Sequence, residues 1–154
     1  MKAAVLTNYD KNGRKLEIQE VEKPSPREKE VLVKVFTAAV NPLDNMIIRG
    51  EVKLIVPYSL PLIMGNEFAG QVEAVGSAVK RFKAGDRVYG RMPLSKIGAF
   101  AEYVAVEEGA LAPIPDYLSY DEAATVPLTA LTAMQAFEIM QPKAGESVFI
   151  SGGT

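Results

Sequence analysis

The sequence predicts a mainly β fold with some α, its strands forming a barrel or a sandwich and its longer helices gathered after residue 118. Three observations predict it. Glycine and proline break the first three quarters of the chain into short runs rich in Val, Leu, Ile and Phe. Those runs recur at turn-bounded spacing, the habit of all-β architectures. From Ser119 onward the pattern changes to helical spacing.

Taken in order, the first strands fall at Lys2 to Thr7, Leu16 to Val21 and Glu30 to Val40, with turns at Asn12 and Gly13 and at Pro24 to Pro26. From Val31 to Phe36 both faces are largely apolar, which predicts a strand covered on both sides. Asn41, Pro42 and Asp44 read as a helix start: Asn as N-cap, Pro at the first helical position, Asp in the positive first turn. Gly50 stops that helix just after Arg49. A loop at Pro57 to Pro61 leads to strands at Glu67 to Val75, Arg87 to Arg91, Phe100 to Val106 and Ala110 to Ile114, with turns at Gly85 and Asp86 and at Ile97 and Gly98. Ser119 and Glu122 form a capping box. Leu128, Leu131, Met134 and Phe137 then repeat at helical spacing and are predicted to be core, up to a break at Pro142. Glu146 to Ser151 reads as a last strand running into Gly152 and Gly153, which is how a nucleotide-binding unit begins. The chain therefore reads as cut at the start of such a unit.

Composition narrows the chemistry. The 154 residues include no His and no Cys. A catalytic zinc takes about three protein ligands, mostly Cys thiolate and His imidazole, so no metal site is predicted. Ser-His and Cys-His nucleophilic centres are excluded by the same count. Reaction chemistry is left to an organic cofactor or to Asp, Glu, Lys and Tyr as acids and bases. A net charge of −2 without a clustered Lys/Arg run gives no footprint for nucleic acid or an anionic membrane. No apolar run approaches the roughly 18 residues of a membrane span, and no disulfide framework is available, so the predicted location is cytoplasmic.

Four stretches then point to a family: Asn41 to Asp44 with Arg49 and Gly50; Gly65, Glu67 and Gly70 through Gly76 to Gly85, Asp86, Arg87 and Val88; Gly98 to Tyr103; and Leu131, Thr132 and Ala133. As an ordered set they resemble the medium-chain dehydrogenase/reductase superfamily, specifically its zinc-independent quinone oxidoreductase and enone reductase branch. The resemblance implies a GroES-like β-barrel catalytic (substrate) domain over residues 1–118. It further implies that residues 119–154 hold the first helices and first strand of an incomplete, truncated Rossmann domain. Zinc-using relatives place Cys where Asn41 stands and His where Asn66 stands, so zinc-free chemistry follows by analogy. Zinc-free relatives often carry an aromatic residue where this chain has Met46.

The implied cofactor is NADPH or NADH. The implied substrate is a small quinone or enone, reduced by hydride transfer. Asn41 is the implied catalytic residue and, with Thr132, Gly152 and Gly153, the implied cofactor-binding set. A loop from Glu51 to Leu62 is expected to shape the substrate pocket. The residues themselves leave second readings: Asn41 as a helix cap, Thr132 as a helix hydroxyl bonded back to the preceding turn, and Asp44 as scaffold. Glu67 is expected to pair with a cation such as Arg49, and Tyr58 and Tyr103 to be surface groups more than proton donors. Two rival functions stand beside the reductase: a naturally short, non-catalytic GroES-like binding module, and an alcohol dehydrogenase-like oxidoreductase. The 154-residue chain alone is expected to be inactive, and a homodimer is one assembly it allows.

Overall fold

The computed structural model describes residues 1–12 and 16–151. Among them, eight strands and three helices follow one another as β1 (Lys2–Leu6), β2 (Glu17–Glu20), β3 (Glu30–Ala39), α1 (Pro42–Arg49), β4 (Leu62–Ile63), β5 (Glu67–Val75), β6 (Arg87–Arg91), β7 (Tyr103–Glu107), β8 (Leu111–Pro113), α2 (Tyr120–Ala124) and α3 (Pro127–Met140). They make a five-stranded antiparallel sheet in the order β7-β3-β5-β6-β8 and a three-stranded one in the order β2-β1-β4. A bridge between Ala3 and Ala101 and the bond from Ala4 N to the Phe100 carbonyl tie β1 to the segment that leads into β7. The expected mainly β architecture is there, but the sheets do not close into a barrel among the described residues. β7 and β8, at opposite ends of the larger sheet, are not hydrogen-bonded to each other.

Residue alternation explains how the larger sheet is covered. On one face Val31, Val33, Phe68, Val72, Val88, Val104 and Val106 form a buried cluster. On the other, Ala69 meets Ile114, Ala123 and Ala124, so α2 lies against β5. Two-sided cover holds for the first residues of β3, where Glu30 to Val33 are buried. It fails at Phe36, which is 47% exposed and meets Tyr120 edge-on at 4.7 Å. α1 sits on the smaller sheet through Ile47 and Ile48, packed with Leu6, Met64 and Ile97.

Two sequence expectations change. Residues 146–150 form no strand, and Val148, Phe149 and Ile150 are exposed. A β strand needs a partner for its backbone N–H and C=O groups, and none of the described residues pairs with this one. Leu131, Met134 and Phe137, expected in the core, are exposed, and Leu128 is half-buried. α3 is apolar around most of its circumference, the pattern of a helix covered on all sides, yet only its first turn is seated on the sheets. The predicted turn at Asn12 begins with the Asn12 N–H donating to Asp10 Oδ1 at 2.9 Å; Gly13 lies outside the described residues. No helix among the described residues is long and apolar enough to cross a membrane.

Candidate functional site

The segment from Asn41 to Asp44 folds as its residue types require. Asn41 has extended backbone (φ −116°, ψ 158°), Pro42 opens α1, and Gly50 closes it at φ 75°. Asp44 reaches back, its Oδ2 accepting from the Asn41 backbone N–H at 2.7 Å. The pair has the reciprocal layout of a capping box, yet the Asn41 side chain makes no capping hydrogen bond of its own. It turns to β5 instead: Nδ2 donates to Glu67 Oε1 at 2.7 Å. The other Glu67 oxygen accepts from the Leu128 backbone N–H at 2.6 Å, in the first turn of α3. Asn66, next to Glu67, donates through Nδ2 to Asp44 Oδ1 at 2.7 Å.

Four polar side chains are thus buried as one network: Asn66 0%, Asp44 1%, Glu67 1% and Asn41 6% exposed. Both carboxylates lie at helix N-termini, where backbone N–H groups and the helix dipole favour negative charge. Burial nevertheless pushes the Asp44 carboxyl above the ordinary aspartate range; the bonds from Asn41 and Asn66 pull it back only in part, and the Glu67 charge adds to the rise. Burial likewise raises the Tyr58 hydroxyl, with the Arg91 charge opposing. Asn66 Oδ1 and Arg91 Nε are buried and meet no hydrogen-bond partner among the described residues.

The Asp44 shift makes a prediction whose sign follows from linkage. A carboxyl whose native pKa is raised contributes stability that is complete below about pH 4 and is lost as pH rises through the native value. Asp44→Asn lacks that loss. It also keeps the network: the introduced amide oxygen takes the Asn41 N–H, and the introduced NH2 donates to Oδ1 of a turned Asn66, the atom that lacks a donor in the wild type. Urea titrations should show the variant gaining on the wild type as pH rises from about 4, then levelling off. A constant or shrinking difference would mean that the Asn donors outweigh burial.

The predicted site residues divide. Asn41 lies in the network. Thr132 is exposed and its hydroxyl donates to the Leu128 carbonyl at 2.7 Å, bonded back to the preceding turn. It stands one turn along α3 from the residue that Glu67 holds. Gly152 and Gly153 lie outside the described residues. Glu67 does not pair with Arg49, because α1 carries Arg49 away from the network and to Glu51 at 3.2 Å. Tyr103 lies under the Lys23 ammonium, 3.8 Å from the ring centre. Sequence reasoning missed Asn66 as a partner of Asp44, and Arg91, which faces Glu67 across the β5–β6 pairing. The signal was two adjacent polar residues, Asn66 and Glu67, directly before the short apolar run from Phe68 to Gly70. A cleft of about 370 Å³ beside α3 is lined by Tyr89, Arg91, Met92, Leu111, Pro127 and Leu131 among others. No residue of the Glu51 to Leu62 loop borders it.

The family model described as the alcohol dehydrogenase GroES-like domain matches residues 27–116. The chain is 38% identical over 136 residues to the chloroplastic quinone-oxidoreductase homolog of Spinacia oleracea, covering 88% of this chain and 41% of that protein. It is 39% identical over 160 residues to 2-methylene-furan-3-one reductase of Solanum lycopersicum, covering 99% and 41%. The crystal structure of Escherichia coli quinone oxidoreductase complexed with NADPH superposes with a TM-score of 0.80 at 29% identity, covering 91% of this chain and 41% of that one. The chain spans less than half the length of these relatives.

Proposed function

The chain belongs to the family of alcohol dehydrogenase GroES-like domains, and from that premise we propose that it serves a zinc-independent, NAD(P)H-dependent oxidoreductase that reduces a quinone or an α,β-unsaturated carbonyl. The observation that carries the zinc-independent reading is the state of the two buried carboxylates. Each of their four oxygens accepts an N–H, at 2.7 Å for Asp44 and at 2.7 and 2.6 Å for Glu67. Carboxylates so satisfied, with no Cys or His in the chain, do not fit a metal that binds through thiolate and imidazole. Among the described residues no three acidic side chains gather as a metal site either.

The residues do fit the reactive end of a nicotinamide cofactor. The Asn41 side chain makes no capping hydrogen bond, and Asn41 is the most exposed member of the network. Thr132, Leu131 and Met134 are exposed on α3, the helix whose first turn Glu67 holds. Bound there, the nicotinamide would supply the hydride. Asn41 would orient ring and acceptor by hydrogen bonding, and Thr132 would touch the ring. Residues 1–118 would form the catalytic domain and residues 119–154 the opening of the nucleotide-binding domain, with Gly152 and Gly153 in its phosphate loop. On this reading the 154 residues hold about half of the site and show no turnover by themselves.

The test is NAD(P)H oxidation by the whole protein, with a quinone or an enone as acceptor. The rate should rise with acceptor and be unchanged by EDTA; loss of activity on chelation would sink the zinc-independent reading. Asn41→Ala should lower kcat/KM by about tenfold, the worth of one hydrogen bond of ~1.4 kcal/mol. A variant as fast as the wild type would remove Asn41 from the site.

A further inference from the structure

Glu67 belongs to no predicted site, yet it touches both Asn41 and α3. A carboxylate can only accept hydrogen bonds. One Glu67 oxygen is taken at 2.6 Å by the Leu128 backbone N–H, which has no other orientation to adopt. The second oxygen lies 2.7 Å from the Asn41 amide, so that amide must present its NH2; turned the other way, it would set two acceptors against each other. The Asn41 backbone is held in turn by Asp44 Oδ2 at 2.7 Å, so the side chain cannot escape the choice by a shift of the main chain.

We propose that Glu67 is a positioning residue that fixes which way round the Asn41 amide stands, so that the network offers a hydrogen-bond acceptor, Asn41 Oδ1, at its exposed edge. The inference rests on the role given to Asn41 above. The ligand chemistry matched by that edge is an N–H or O–H donor, such as the carboxamide NH2 of a nicotinamide.

Glu67→Gln inverts the polarity without changing shape. The introduced glutamine amide has one acceptor and one donor group. Its oxygen must serve the fixed Leu128 N–H, so its NH2 faces Asn41 and turns that amide, leaving NH2 at the exposed edge. Adding Asn41→Asp restores an acceptor there, because one oxygen of the introduced aspartate takes the glutamine NH2 and the other stays free.

The experiment measures NADPH affinity by fluorescence and kcat/KM for the whole protein as wild type, E67Q, N41D/E67Q and N41A, with thermal melts to confirm folding. E67Q should bind NADPH about tenfold more weakly, and N41D/E67Q should recover to within about threefold of the wild type. Unchanged affinity in E67Q, or a loss that the double variant does not repair, would overturn the proposal. Should N41A match the wild type, the reading of Asn41 itself fails, a distinct outcome that removes both. A measurement on the wild type alone guards against misfolded variants. By NMR, the Asn41 Nδ2 proton held by Glu67 should exchange slowly with solvent, and fast exchange of both Nδ2 protons would overturn the proposal.

Discussion

Gly65→Ala should lower the unfolding free energy by about 2–5 kcal/mol, the sum of about 1–2 for a left-handed backbone and about 1–3 for overpacking. Gly65 has φ 105°, and a Cβ built on it would stand 2.5 Å from the Phe100 backbone nitrogen. Neither side can yield. The Gly65 carbonyl accepts from Gly98 N and Ala99 N at 2.9 and 3.1 Å, and Phe100 N donates to the Met64 carbonyl at 2.7 Å. Gly85 supplies the control, with φ 93° but nothing within 4 Å of its built Cβ. Gly85→Ala should therefore cost only the backbone share, about 1–2 kcal/mol. Urea unfolding of both variants measures the difference, and equal losses would show that the Phe100 contact is not tight. Because Gly65 directly precedes Asn66 and Glu67, the larger loss should come with weaker NADPH binding if the network serves the cofactor.

Glu67→Leu should be of similar size. It removes the acceptor for a buried donor, Asn41 Nδ2, and a part-buried one, the Leu128 N–H, and a buried donor left without a partner costs about 1–3 kcal/mol, so up to about 6 kcal/mol in all. Leucine relieves the burial of one charge, which works the other way. That relief is small here, since the charge already has two N–H donors and a helix N-terminus to stabilise it. A loss below about 1 kcal/mol in urea titrations would mean that the donors find other partners. Glu67→Gln, which keeps one acceptor and lets Asn41 turn, should lose much less than Glu67→Leu. The two variants thus separate what Glu67 does for stability from what it does for the Asn41 amide.

Much of the scaffold was legible because its cues are local. Asn41, Pro42 and Gly50 bracket α1 through backbone preferences that hold in any context, and Ser119 with Glu122 closes a capping box whose members are three residues apart. The strand predicted from Glu67 to Val75 is β5, and Phe68 and Ala69 fall on its opposite faces. The failures share one cause. Helical spacing marks Leu131, Met134 and Phe137 as apolar, but whether they are covered depends on what lies across from them, and here they are exposed. Residues 146–150 have strand composition, but pairing needs a second strand. The Glu67–Arg49 pairing rested on opposite charge alone; the direction in which α1 points Arg49 made Glu51 its partner.

By itself the sequence determined the fold class, the helix boundaries around Asn41 and Ser119, and the absence of thiolate and imidazole from any chemistry the chain performs. These follow from backbone preference, capping and composition, which are properties of residues and their near neighbours. Only the tertiary structure decided that Asp44 and Glu67 are buried carboxylates with every oxygen occupied and that Glu67 joins Asn41 to α3. Its two partners lie 26 and 61 residues away along the chain. Contacts at that range come from how β5 is flanked by both helix N-termini, and no local pattern of residues encodes them.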